Sequence, residues 1–303
     1  MPRRGPWVMV ASVFAGLALP LAMPAGAERV AGREVELPVI GPAEGDALHV
    51  MSFNLRFAAD DEPNSWASRR PVMAELLRRE LPTVLGTQEG LYHQLTDLGR
   101  DLPGHYAWIG EGRAGGSHGE FMAVFYDTRR LEPLEYDHYW LSDTPSRVGS
   151  TSWGNRLPRM VTWVRFADRR TGRELVVVNT HLDAESEYAR RRAVALIRER
   201  IATFAPDLPV VLTGDFNTPA GDSPSYDILT ERMTDTWIAA AERRGSAQAT
   251  WHGYRPPRRD GERIDWILTR GAVTVHVAAV NTFHRAGQYP SDHLPVQALI
   301  SLG

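Results

Sequence analysis

"TGDFNTPAGDSP" occupies residues 213–224. It follows residues 208–212, a short apolar run of the kind that forms a buried strand. Asp215 and Asn217 then stand where that strand should end, and a carboxylate beside a carboxamide at the edge of a core needs a reason. Asp and Asn favour turns, and one Asx-turn would explain one such pair. The arrangement recurs, however. Asn54 ends the apolar stretch in "HVMSFNLR", Glu89 that in "TVLGTQEG" and His181 that in "LVVVNTHLD". Asp265 sits in "RIDWIL", and Asp292 and His293 precede the final apolar stretch in "YPSDHLPV". Independent turns are a poor account of so many coincidences. Strands lying side by side would bring these ends into one pocket, with Glu89, Asp215, Asp265 and Asp292 beside Asn54, Asn217, His181 and His293. Four carboxylates in one place repel unless a cation or protons neutralise them. Oxygen donors dominate this set and the chain has no cysteine, so the expected cofactor is a hard divalent ion, Mg²⁺, Mn²⁺ or Ca²⁺.

Outward from these motifs the pattern is α/β. Strands are expected at residues 48–55, 83–88, 121–126, 134–141, 160–166, 175–180, 263–268, 273–281 and 296–301. Helices are expected at 69–81, 91–102 and 186–204, with short ones at 226–230 and 236–243. The helices fall between groups of strands, as sheets covered on their outer faces require. With no internal repeat or mid-chain linker, residues 47–303 form one expected domain. Residues 28–46 carry Gly, Pro and charge without periodicity and are expected to be a linker.

The first 27 residues are a separate object. Arg3 and Arg4 form a basic start, residues 7–23 are apolar and small, and Ala25-Gly26-Ala27 fits an A-x-A cleavage site. This pattern is that of a secretory signal peptide cleaved near Ala27, which implies a secreted or periplasmic mature chain with no membrane span. Without Arg3 and Arg4, 32 basic residues face 37 acidic ones, a formal charge of −5. Bulk charge therefore does not favour nucleic acid as a partner. The absence of cysteine excludes disulfides, thiolate metal sites and cysteine nucleophiles. Every one of the 34 basic residues is arginine, which excludes Schiff-base chemistry and a P-loop lysine; anions must be held by Arg, His or backbone N–H groups. A monomer is the expected state.

"MSFNLR", "GTQE", "GEFMAVFY", "NTHLD", "GDFN", "RIDWIL" and "SDHLPV" stand in the order and rough spacing of the endonuclease/exonuclease/phosphatase superfamily, with its deoxyribonuclease I–like fold. The chain resembles that superfamily over about residues 48–302. The resemblance implies an α/β fold, a four-layer sandwich in which two mixed, mostly antiparallel sheets pack face to face with helices on the outer faces. It also implies metal-dependent hydrolysis of a phosphoester. By the same resemblance Glu89 is a principal metal ligand, with Asn54 and Asp292 beside it. Asp215 positions or deprotonates the attacking water, and Asn217 binds a phosphate oxygen. His293 pairs with Asp265 and contacts the phosphate. His181 assists the leaving group or stabilises the transition state, and Glu120 orients His181. His118 stands where several members carry a tyrosine near phosphate.

Such a set suits the chemistry. A phosphoester resists water because its oxygens are negative, so a metal and imidazolium groups must neutralise the charge that builds on them. The substrate's non-reacting part is expected on the loop "TWHGYRPPRRDGERIDW", through His252, Tyr254 and Arg255, with Arg159 on a second rim after residues 142–158. The expected function is hydrolysis of a small or lipid-linked phosphoester outside the cytoplasm, by a phosphatase or phosphodiesterase. A secreted nuclease is the alternative.

Overall fold

The computed structural model describes residues 37–245, 249–259 and 261–303. The signal-peptide expectation lies outside the described residues, as do residues 28–36 of the expected linker. Residues 37–46, by contrast, belong to the same compact unit as the rest of the described chain. The backbone N–H groups of Val39, Ile40 and Gly41 donate to the Glu80 carboxylate at 2.7, 3.1 and 3.0 Å. No helix among the described residues is long and apolar enough to cross a membrane.

Two sheets form the centre. The first contains β1 (Leu48–Asn54), β2 (Val84–Gln88), β3 (Tyr106–Ile109), β4 (Val124–Asp127), β10 (Glu242–Arg244), β12 (Val273–Val280) and β13 (Val296–Leu302), in the order β10-β12-β13-β1-β2-β4-β3. The second contains β5 (Leu131–Trp140), β6 (Met160–Asp168), β7 (Glu174–His181), β8 (Val210–Asp215), β9 (Thr234–Asp235) and β11 (Asp265–Arg270), in the order β5-β6-β7-β8-β11-β9. Antiparallel pairs dominate. The parallel exceptions include β1 with β2 and β7 with β8. A parallel pair needs a crossover, and helices supply both: α1 (Trp66–Glu80) joins β1 to β2 and α3 (Glu187–Ala202) joins β7 to β8. The remaining helices are α2 (Tyr92–Asp101), α4 (Pro224–Thr230) and α5 (Thr236–Ala239).

Side-chain packing sets the four layers. Val50, Val84, Val164, Phe166, Val177 and Val211 meet between the sheets. Met73, Leu76 and Leu77 of α1 cover Met51, Phe53 and Leu85 on one outer face. Val194, Ile197 and Ile201 of α3 cover Val176, Val210 and Leu212 on the other. Ser65 caps α1 by accepting the Ser68 N–H, and Ser186 caps α3 by accepting that of Ala189.

Elements differ from the sequence reading in bounds and in kind. β8 runs to Asp215, so the acid is the strand's last residue, not a neighbour of its end. The expected helix over 236–243 stops at Ala239, because Ala240 turns extended and residues 242–244 add to the sheet edge beside β12. β3, in "HYAWIG", is a run of only four residues and was not expected; its residues are all half-buried at the end of the first sheet.

Candidate active site

β1, β2, β7 and β8 end at the same side of the sandwich, and pairing fixes their ends against one another. Asn54 is registered with Gln88, His181 with Asp215, and Asp215 with Asp265. Ligands in α/β sheets commonly lie outside such carboxyl ends. Backbone turns then aim the side chains: Arg56, Glu89 and Asn217 adopt φ of 53°, 61° and 51°, a left-handed conformation that non-glycine residues keep only where the surroundings impose it.

Beneath these ends a buried polar layer joins the two sheets. Gln88 Nε2 donates to Asn179 Oδ1 at 2.7 Å and to Ser52 Oγ at 3.2 Å, and Thr213 Oγ1 donates to Asn179 Oδ1 at 3.0 Å. Asn179 Nδ2 donates to the carbonyls of Thr87 and Ala123. Gly86 makes room for this layer, since a Cβ there would lie 2.2 Å from Thr213 Oγ1. Asn179 and Thr213 stand two residues before His181 and Asp215 on the same strand faces, so the layer sets the spacing of the functional ends. Behind the site, the fully buried Arg69 donates to the carbonyls of Leu55, Arg56, Phe57, Asn64 and Pro290. One guanidinium thus staples the segment after Asn54 to the segment before Asp292. Read in the sequence, Arg69 is only one more arginine of an amphipathic helix.

The cleft above has a volume of about 350 Å³, and its lining includes Glu89, His181, Asp215, Asn217, Asp292 and His293. Asn54 Nδ2 donates to Glu89 Oε1 at 3.0 Å and to Asp215 Oδ2 at 2.9 Å. His293 Nδ1 bonds Asp265 Oδ2 at 3.0 Å, while its Nε2 lies 3.7 Å from Asp215 Oδ2. Burial would pull His293 down, but the carboxylates of Asp265 and Asp215 push it up to about 10. Burial and the charge of Asp265 push Asp215 up to about 7, although His293, Asn54 and the Asn217 N–H oppose the rise. Burial and the cations of Arg159, His293 and Arg113 hold His181 well below its ordinary value.

One oxygen or nitrogen each from Glu89, Asp215 and His293 lie within 4.8 Å of one another. The carboxylate oxygens at that spacing fit a divalent cation, whereas His293, raised to about 10, is itself a cation and no ligand while protonated. Of the expected ligands, Glu89 is in this set. Asn54 engages both carboxylates through its amide N–H and uses Oδ1 to accept the Arg56 N–H. Asp292 is set apart: it lines the cleft with Oδ2 3.9 Å from Arg56 Nε.

Several side chains have partners other than the expected ones. Asn217 Nδ2 donates to the Leu182 carbonyl at 3.0 Å and lies 3.0 Å from His181 Nε2. The carbonyl fixes the amide's orientation, and the side chain lines the cleft beside His181. Glu120 does not orient His181, because the Arg113 guanidinium takes its carboxylate at 2.7 Å and His181 Nδ1 is buried without a partner. His118 is exposed and bonds the Gly115 carbonyl, outside the cleft lining. Tyr254 turns its hydroxyl inward, buried and unbonded, and burial pushes it up to about 12. His252 faces the carbonyls of Arg255 and Ser291 and braces its loop from inside. Arg255 is exposed and lines a second, adjoining cleft.

Arg159 is where a rim arginine was expected, but deeper: it lines the catalytic cleft with Nε and Nη1 buried and unbonded, 3.9 Å from Asp183. Asp183 itself accepts the N–H groups of Glu185 and Ser186 at the approach to α3. The sequence reading missed Arg56 and Arg113 as cleft residues. Arg56 could have been found, because it stands two residues after Asn54 in the quoted "FNLR"; nothing local marks Arg113.

Residues 51–293 match the model of the Endonuclease/Exonuclease/phosphatase family. The fold is similar to an endonuclease/exonuclease/phosphatase from Bacteroides vulgatus, with a TM-score of 0.80 and 32% identity over 85% of this chain and 99% of that one. It is also similar to a mannosyl-6-phosphatase from Bacteroides thetaiotaomicron, with a TM-score of 0.78 and 32% identity over 84% of this chain and 100% of that one. Protein angel of Drosophila melanogaster is 28% identical over 174 residues, 53% of this chain; the match spans 46% of that protein's length.

Proposed function

The chain belongs to the endonuclease/exonuclease/phosphatase family, whose members hydrolyse phosphoesters, and on that premise we propose that it is a phosphomonoesterase that uses Mg²⁺ or Mn²⁺ and acts outside the cytoplasm on a small phosphoester. The observation that carries the reading is the convergence of Glu89, Asp215 and His293 within 4.8 Å at a cleft lined by Arg56, Arg113 and Arg159. The 32% identity to a mannosyl-6-phosphatase favours a monoester over a diester or nucleic acid.

A bound divalent ion, held by Glu89, would supply Lewis-acid polarisation of a phosphoryl oxygen. The chain's own groups do the rest. Asp215, buried and raised to about 7, takes the proton of the attacking water. His293, kept protonated by Asp265, places positive charge beside the oxygens on which negative charge builds. His181 stays neutral, and Asn217 fixes its ring by facing Nε2. Arg159 brings buried, unbonded N–H groups to the same cleft, which suits an anion.

A substrate panel with Mg²⁺, Mn²⁺ and Ca²⁺ tests the reading. It includes chromogenic mono- and diesters, sugar and inositol phosphates, sphingomyelin, DNA and RNA. Turnover confined to diesters or nucleic acid overturns it. Export is tested separately: mass spectrometry of secreted material should place the first residue near Glu28, and material retaining Met1 would refute cleavage.

A further inference from the structure

Beside the catalytic cleft lies a second one of about 400 Å³, and Trp251 and Ile264 line both. Its other walls include Arg255, Arg258, Glu262 and Ala249. Trp251 is 52% exposed, an unusual state for an indole, and its ring rests against Gly253, where a Cβ would come within 3.3 Å. Gly253 has φ of +56°, so that position favours glycine on two counts.

The loop that carries Trp251 is fastened to the catalytic residues. Trp251 and His293 form a backbone bridge, the Asp292 carbonyl accepts the N–H groups of His252 and Gly253, and the Leu294 N–H donates to the Thr250 carbonyl at 2.7 Å. On the other side Thr250 Oγ1 accepts the N–H groups of Ile264 and Asp265. The indole is therefore held in register with both members of the Asp265–His293 pair. Within the cleft, the Arg255 guanidinium and the Glu262 carboxylate have no side-chain partner among the described residues. Strong donors and a strong acceptor thus face solvent around one apolar aromatic surface.

We propose that this second cleft is the sugar subsite of the enzyme: it takes the ring of a hexose whose phosphate lies in the catalytic cleft. The inference rests on the phosphomonoesterase reading. A pyranose has one face of C–H groups, which suits the exposed indole, and a rim of hydroxyls, each both donor and acceptor. Arg255 donates to such hydroxyls and Glu262 accepts from them, with charge-assisted strength. An acyl chain fits poorly, since charged groups stand around the indole. A nucleobase could stack on Trp251 but offers no ring of hydroxyls to engage both Arg255 and Glu262.

The test compares kcat/KM, with Mg²⁺ present, on a hexose 6-phosphate, glycerol 3-phosphate, a nucleoside 5′-monophosphate and p-nitrophenyl phosphate. The native enzyme should prefer the hexose phosphate to glycerol phosphate at least tenfold. Trp251→Ala, Arg255→Ala and Glu262→Gln should each reduce the ratio of hexose phosphate to p-nitrophenyl phosphate by about tenfold, mainly through KM, as loss of one contact of about 1.4 kcal/mol does. Trp251→Phe, which keeps an aromatic face, should recover most of the preference. Turnover of p-nitrophenyl phosphate with no preference for the hexose, a preference for the nucleotide, or variants that leave the ratio unchanged would overturn the sugar subsite while leaving the phosphatase reading intact. Failure on every monoester, with turnover of diesters, would remove the reading and the subsite together.

Discussion

β1 carries a buried polar cluster at each end, and the two are built to opposite rules. Near its first residue, Glu80 accepts five donors: the N–H groups of Val39, Ile40 and Gly41, Asn281 Nδ2 and Gln297 Nε2. His49 completes the cluster, with Nδ1 2.8 Å from the Gly41 carbonyl and Nε2 facing Gln297. Burial lowers this histidine to about 4. At the last residue of β1, about 17 Å away along the strand, Asn54 opens onto the catalytic cleft. There His181 Nδ1, Asp265 Oδ1 and two nitrogens of Arg159 are buried without partners, and His293 is raised to about 10. Buried polar groups are normally satisfied. The far end obeys that rule and acts as a lock. The near end breaks it around a cleft, where a bound ion and an anionic substrate would provide what is missing.

If the contrast is right, the near end should fail without its ion while the far end holds. A chelator should abolish hydrolysis and Mg²⁺ or Mn²⁺ should restore it, with the fold intact by circular dichroism; full activity in excess chelator would falsify the metal-dependent reading. Glu89→Gln should weaken metal binding as well as turnover, measured by metal titration of activity. Next in size, Asp215→Asn should reduce kcat by about 10²–10⁴ on every substrate, the usual range for a lost general base. Its melting temperature should not fall, because one buried carboxylate beside Asp265 has gone. A large loss of stability would show that the near end is also a structural lock.

Much of the near end was legible because its residues terminate strands. Asn54, Glu89, His181, Asp215 and Asp265 follow or begin apolar runs whose burial is written in their composition, and pairing alone brings them together. Direction at turns was not legible. Tyr254, in a left-handed conformation, buries its hydroxyl, and Asn217, in another, gives an amide N–H to the Leu182 carbonyl; nothing in "FNT" or "GYR" declares either. Glu120 and Arg113 are seven residues apart in a glycine-rich turn, so their pairing depends on a loop path that periodicity does not encode. The far end was invisible for another reason. Glu80 reads as the final polar residue of an amphipathic helix, and only the folded chain shows it met by residues 39–41, by Asn281 after β12 and by Gln297 of β13.

The far end has its own tests. Burial would raise Glu80, yet the N–H groups of Gly41, Val39 and Ile40 hold it below its ordinary value, and His49 is lowered to about 4. Both folded values lie below the unfolded ones, so the unfolded chain binds the extra protons. Stability from this cluster is complete above about pH 6.5, the unfolded histidine value, and is lost as pH falls toward 4 and through the folded value of Glu80. The loss from His49 is about 3 kcal/mol. Denaturant unfolding at pH 7 and pH 4 measures it, and His49→Asn should flatten the slope; an unchanged slope would place the acid sensitivity elsewhere. Smallest of the effects, Glu80→Gln should destabilise by about 1–3 kcal/mol, because an N–H group replaces one accepting oxygen among five donors. Its kcat should stay at the native value, since the near end is untouched.

The Glu80 cluster also decides how the molecule bears a mechanical load. A pull applied at Leu37 reaches residues 39–41 first, and these are moored to α1, to Asn281 just after β12 and to β13 through one carboxylate. Tension that passes this mooring enters β1 along its axis, where β2 and β13 hold the strand on both sides and every ladder hydrogen bond is loaded in shear at once. A protein fixed to a surface by its amino-terminal side would therefore transmit little displacement to Asn54, and immobilisation from that side should preserve the geometry of the catalytic cleft.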